Sequence, residues 1–220
     1  GAFLIPLFVI PYALTAQRMY PWLQAGAARL DNALYLNGLA FALRGLIYLV
    51  IWLVLALLVT RAADDAKELK RLAPPSLIVL ALTATFAAID ALMSLDPTFA
   101  SSIFGLIQIS EIGALSLSIA TLALIFSLAP PDPEALRQLA RLLLALVILW
   151  SYLAFMQLLI VWQSDLPHET AWYLPRWRQE WAVIGGLIAF AHFFAPFFTL
   201  LSSKAQHSPY AVGFAAAAII

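Results

Sequence analysis

Cysteine is absent from this chain of 220 residues, which excludes disulfides, thiolate metal sites and cysteine-ligated iron–sulfur clusters within it. Charge is scarce: Asp, Glu, Lys and Arg make up 11% of the residues, against roughly 25% in an ordinary soluble domain. The charges present also cancel, 12 Lys plus Arg against 12 Asp plus Glu, so net charge offers no footing for a nucleic acid partner. Histidine is limited to His168, His192 and His207. These are too few and too scattered for a bis-histidine haem pair, and no second histidine stands at ligand spacing from His168 to hold a metal.

Apolar residues fill the space that charge leaves: 64% of the chain is hydrophobic and the mean hydropathy is +0.92. A globule of this size has too little interior to enclose that much apolar surface. The sequence therefore predicts an all-α, polytopic transmembrane helix bundle. Its complete spans are expected at 34–60, 76–95, 103–128, 136–162 and 181–203, each near or above the 18 or so apolar residues that cross a hydrocarbon core. Partial spans stand at both ends, 1–16 and from Tyr210 onward. The whole of 1–220 reads as one transmembrane domain, a portion of a longer chain. The Ala-Leu-Thr-Ala run at 13–16 resembles a signal cleavage site, but the segment lacks a basic leader and Pro6 and Pro11 interrupt it.

Between the spans, 17–32 carries Tyr20 and Trp22, side chains suited to the headgroup level. A charged loop is expected at 61–75, and the Pro-Pro pair at 130–131 breaks the chain. The 163–180 connection alternates aromatics with charges, the pattern of a segment lying on a membrane surface. Counted by alternate sides, Arg61, Lys67, Lys70, Arg71, Arg137, Arg141 and Lys204 oppose Arg18, Arg29, Arg176 and Arg178. The positive-inside rule then places 61–75 in the cytoplasm and the 94–102 and 163–180 connections outside.

Polar groups within the apolar runs are the candidates for chemistry, because ionisable groups at membrane depth are costly and mark pathways or pairs. Asp90, Glu111, Gln157, His192 and Arg44 are expected in one band from the outer half of the bilayer to its midplane. Gln108, Glu111, Ser118 and Thr121 recur at helical spacing and form a polar stripe that must face other helices. Pro196 lies four residues after His192, so its ring collides with the His192 carbonyl and its missing N–H leaves that carbonyl without a donor. A bend and a free acceptor beside an imidazole suit a proton or quinone-headgroup site. For Glu111 the competing reading is a structural pair with Arg44. For Gln157 and the hydroxyls it is helix locking at about 0.6 kcal/mol each.

Two ordered motifs carry a resemblance. Residues 88–97, Ala-Ile-Asp-Ala-Leu-Met-Ser-Leu-Asp-Pro, are followed by Ser-Ser-Ile-Phe-Gly at 101–105. Residues 152–162, Tyr-Leu-Ala-Phe-Met-Gln-Leu-Leu-Ile-Val-Trp, run into Leu-Pro-His-Glu at 166–169 and Trp-Tyr-Leu at 172–174. Together with 44–52 and 192–196, they resemble the ActF-type integral membrane subunit of alternative complex III. That bacterial quinol:electron-acceptor oxidoreductase has membrane subunits related to those of polysulfide reductase. The match spans about 40–208. It departs from the family at Ala91, where a tryptophan is usual, and at Thr98, where the family's histidine is replaced by a side chain that cannot titrate.

The resemblance implies a multi-pass subunit of the bacterial inner (cytoplasmic) membrane, in a respiratory complex whose c-type haems and iron–sulfur clusters lie in partner subunits. It carries no covalent cofactor, no metal and no catalytic residue of its own. Quinol or quinone is a candidate ligand, since the related membrane subunits bind quinol, with a proton route or a scaffold as the other roles considered for this subunit type. Asp90, Glu111 and His192 are expected to form a proton path or quinol pocket, supported by Gln108, Gln157 and Arg44. The alternatives are a purely structural or assembly subunit and an independent proton or ion carrier. The last is ranked lowest, because such carriers are often built from repeated halves and no internal repeat is present.

Overall fold

The structure is a computed structural model that describes residues 18–24, 35–97, 99–127 and 132–220, with the backbone alone at 168 and 179. The apolar segment expected at 1–16, Arg29, Thr98, the Pro-Pro break at 130–131 and the His168 side chain lie outside the described residues. The protein is all-α, with no strand among the described residues. Among the described residues, five helical stretches are long and apolar enough to cross a membrane: Gly38–Ala62, Ala66–Leu95, Phe104–Ile125, Pro133–Ser164 and Glu180–Leu201. At most 22% of the apolar window of any of them is buried within the protein. Their apolar side chains point outward, which lipid tolerates and water does not. The chain is a multi-pass membrane protein in contact with the bilayer.

Two compact units divide it, Gly1–Gly105 and Leu106–Ile220. In the first, α1 (Gly38–Ala62) and α2 (Ala66–Ala91) form an antiparallel hairpin. Asn37 caps α1 by accepting from the Ala40 N–H at 2.8 Å. Asp65 caps α2 by accepting from the N–H groups of Lys67 and Glu68, and Glu68 adds an acidic group to the positive end of the helix. The charged loop expected at 61–75 is therefore corrected to a connection of residues 63–65, with most of that charge on the first turns of α2. Pro74 and Pro75 lie inside α2 rather than ending it. They deprive the carbonyls of Lys70 and Arg71 of their helical donors, but both residues are exposed at the polar end of the helix.

Tyr20 and Trp22, expected at the headgroup level, are enclosed by protein. Their rings pack on each other and on Phe41. The Tyr20 hydroxyl donates to the Ala91 carbonyl at 2.8 Å and the Trp22 indole to the Ser94 carbonyl at 3.0 Å. These donors serve carbonyls at the end of α2, where a 3₁₀ turn, Met93–Leu95, ends the helix and leaves backbone acceptors over.

In the second unit, α3 (Phe104–Ile125) packs beside α4 (Pro133–Ser164), which begins on Asp132 as cap and Pro133 at the first position. The short α5 (Pro167–Tyr173) and a 3₁₀ turn, Leu174–Trp177, lead to α6 (Gln179–Ile188). A π-helical turn, Ala189–Phe194, follows, then α7 (Ala195–Leu201) and α8 (Pro209–Ile219). The core is a stripe from each helix at spacings of three and four: Leu136, Ala140, Leu143 and Val147 of α4 meet Val212, Ala215, Ala216 and Ile219 of α8, with Ala114 and Leu200 between. Gln206 closes the turn between α7 and α8, donating to the Leu200 carbonyl at 2.8 Å.

Candidate functional site

The polar residues singled out in the sequence fall into two clusters, one in each unit. The first is built around Asp90, 3% exposed near the end of α2. Arg44 of α1 donates to it from both arms of its guanidinium, Nε to Oδ2 at 2.9 Å and Nη2 to Oδ1 at 3.0 Å. The Tyr48 hydroxyl, one helical turn along α1 from Arg44, donates to Oδ2 at 2.8 Å. Tyr35 completes the set. The Arg44 guanidinium lies 4.0 Å above its ring and donates to its carbonyl at 3.1 Å, and its hydroxyl bonds to Asp90. Arg44, a candidate structural partner for Glu111 in the sequence, has Asp90 as its carboxylate. Ser94 adds a hydroxyl to the Asp90 carbonyl. Donors from Arg44, Tyr48 and Tyr35 thus converge on this one carboxylate.

The second cluster is looser. Glu111 of α3 places Oε2 3.5 Å from Nε2 of His192. The imidazole is 12% exposed and the carboxylate 35%, and Nε2 is a buried nitrogen with no hydrogen-bond partner among the described residues. Trp150 of α4 meets the His192 ring edge-on, with centroids 4.6 Å apart. His192 belongs to the π-helical turn, where the Ala195 N–H reaches back five residues to the Phe190 carbonyl. The wider turn sits just before Pro196, where an α-helical register would drive the proline ring into the His192 carbonyl. Where the sequence predicts a bend and a free carbonyl at His192, the structure has a change of helical pitch, a feature that recurs at functional sites.

The remaining candidates are distributed around these clusters. Gln108 lies one turn before Glu111 on α3, partly buried. Ser118 and Thr121 of the predicted stripe are fully buried. Thr121 donates to the Leu117 carbonyl, whereas the Ser118 hydroxyl has no partner among the described residues. Ser110, which the sequence reading passed over, is buried on the same helix. Gln157 hydrogen-bonds the Tyr173 phenol, tying α4 to the end of α5.

Chemically, the two clusters differ in what they can do with a proton. Asp90 is held in place by charge-assisted hydrogen bonds, worth about 1.5–3 kcal/mol each. Glu111 and His192 are close enough to share a proton or form an ion pair, yet neither is tied down by the other. Neither the family models nor the curated proteins compared with this chain give a match.

Proposed function

We propose that this chain is a non-redox membrane subunit of a quinol-oxidising respiratory electron-transfer complex in a bacterial cytoplasmic membrane, with Glu111 and His192 as a proton-accepting pair. The sequence resemblance to the ActF-type subunit of alternative complex III supports the respiratory part. The observation that carries the site is the 3.5 Å approach of the Glu111 carboxylate to an imidazole nitrogen that is buried and not hydrogen-bonded among the described residues. Two-electron oxidation of a quinol releases two protons, and its electrons would pass to haem and iron–sulfur centres of partner subunits. A titratable pair within the spanning bundle is suited to take up and pass on such protons. Asp90 and Arg44 are assigned a different role in this reading: they brace α1 against α2.

The test is Glu111→Gln in the assembled complex. It should lower quinol turnover or the protons released per quinol, with complex abundance unchanged. Turnover and proton release both equal to wild type would remove Glu111 from the path. Lower abundance with unchanged specific activity would favour an assembly role, which the closed Asp90 cluster already favours for the first unit. Purification in mild detergent without haem or iron–sulfur partner chains would remove the respiratory reading itself.

A further inference from the structure

The connection between α4 and α6 leaves several of its large apolar side chains exposed, interleaved with charges. Asp165, at φ 47°, takes the left-handed conformation that ends α4 and redirects the backbone. Beyond it, the Ser164 hydroxyl donates to the Glu169 carboxylate at 2.9 Å, and Tyr173 is bonded to Gln157. The Arg176 guanidinium lies 3.7 Å over the Trp172 ring and donates to the Trp172 carbonyl. The exposed side chains include large apolar ones: Trp162 is 77% exposed, Leu174 60%, Trp177 63% and Trp181 61%. Between these stand the exposed charges of Arg178 and Glu180.

We infer that residues 162–181 are seated in the interfacial layer of the bilayer, with Trp162, Leu174, Trp177 and Trp181 at the boundary between headgroups and acyl chains. Two observations fix lipid as the occupant. Pro133–Ser164 and Glu180–Leu201 are consecutive apolar spans, so the segment joining them returns at one membrane surface. Trp162 lies within one turn of the end of the first span and Trp181 within one turn of the start of the second, the level at which indole rings concentrate. An indole there places its ring among acyl chains and its N–H among headgroups. Arg178 and Glu180 remain with the phosphates and water.

The absence of native cysteine makes the test direct. Nitroxide labels on Leu174→Cys and Trp177→Cys, in the full chain within its native membrane, are compared with one on Asp64→Cys in the α1–α2 connection. Collision with dissolved oxygen should exceed collision with an aqueous nickel chelate at 174 and 177, and the order should reverse at 64. Nickel accessibility at 174 and 177 equal to that at 64 would overturn the inference. So would protection from both colliders, which would mean that a protein partner covers the segment. If neither variant accumulates, the part of the tryptophan emission that is lost in Trp177→Phe, quenched by lipids brominated near the headgroup against lipids brominated near the chain end, decides the same question. Stronger quenching by the shallow bromines supports the seating, and equal or weaker quenching overturns it.

Discussion

Arg44 holds Asp90 with two parallel hydrogen bonds, at 2.9 and 3.0 Å, across the α1–α2 hairpin. The Asp90 side chain is 5% exposed and that of Arg44 21%, so water can do little to replace either partner. Such planar, paired contacts are specific to a guanidinium, and a lysine cannot reproduce them.

Removing one partner should therefore cost more than removing both. Asp90→Asn leaves the Arg44 charge beside a neutral amide, and the hairpin should lose about 3 kcal/mol, the lower end of the range for breaking a buried pair because Arg44 is partly exposed. Arg44→Met combined with Asp90→Leu should lose less than Asp90→Asn alone. Denaturation midpoints of the purified variants check this order, and equal losses would mean that the pair is not what braces the hairpin.

Tyr35 provides a pH readout of the same cluster. Partial burial, then its hydrogen bond to Asp90 and the negative charge there, push its phenol up to about 12 from an ordinary value of 10.0, against the opposing pull of Arg44. A group whose pKa is higher folded than unfolded contributes stability that is complete below its unfolded value. This contribution should be present up to about pH 10 and lost between about 10 and 12, as the unfolded chain releases the proton first. Ultraviolet titration of phenolate absorbance, as the difference between the parent and Tyr35→Phe, should show one tyrosine ionising late. In Asp90→Asn its midpoint should move back toward 10. No movement would mean that burial alone sets it.

The buried hydroxyl of Ser118 gives a contrasting case. It is fully enclosed on α3 and its oxygen has no hydrogen-bond partner among the described residues, so the folded state carries an uncompensated desolvation cost. Ser118→Ala should be neutral or stabilising by about 1 kcal/mol. Thr121→Val, which removes a hydroxyl already bonded to the Leu117 carbonyl at 2.7 Å, should be neutral or destabilising. A marked loss on Ser118→Ala, read by thermal unfolding, would give that hydroxyl a role the helix packing does not account for.

How far the sequence reached depended on whether the deciding force was local. The spans were legible because length and apolarity are properties of one segment, and α1, α3 and α4 stand close to where those runs place them. The 61–75 stretch misled because charge and two prolines suggest a loop, while Asp65, a capping residue in plain view, starts a helix that carries both prolines at its solvated end. Arg44 and Asp90 were each visible as costly groups, but they lie 46 residues apart, and only folding decides which carboxylate an arginine meets. Tyr48 was within reach, four residues from Arg44 and so on the same helical face. Trp150 was not, since no spacing connects it to His192. The π-helical turn was half-legible: Pro196 marks where regular pitch must fail, but whether a helix kinks or widens depends on its neighbours.

Gly105 tests packing at the end of the first unit. A methyl group added there would run into the Thr85 side chain, chiefly its Cγ2. Thr85 is not free to swing away, because its hydroxyl donates to the Ala81 carbonyl at 2.9 Å and a β-branched side chain in a helix has few rotamers to choose from. Gly105→Ala should therefore destabilise by about 1–3 kcal/mol, the cost of overpacking, even though alanine is the better helix former by about 1 kcal/mol. Thr85→Ser keeps the hydroxyl and deletes the colliding methyl. In the Thr85→Ser background Gly105→Ala should be tolerated and, with the clash gone, should gain from its helix propensity. The double-mutant cycle separates the two contributions: a coupling near zero would mean that the loss at Gly105 arises from the backbone, and a favourable coupling would locate it in this one contact.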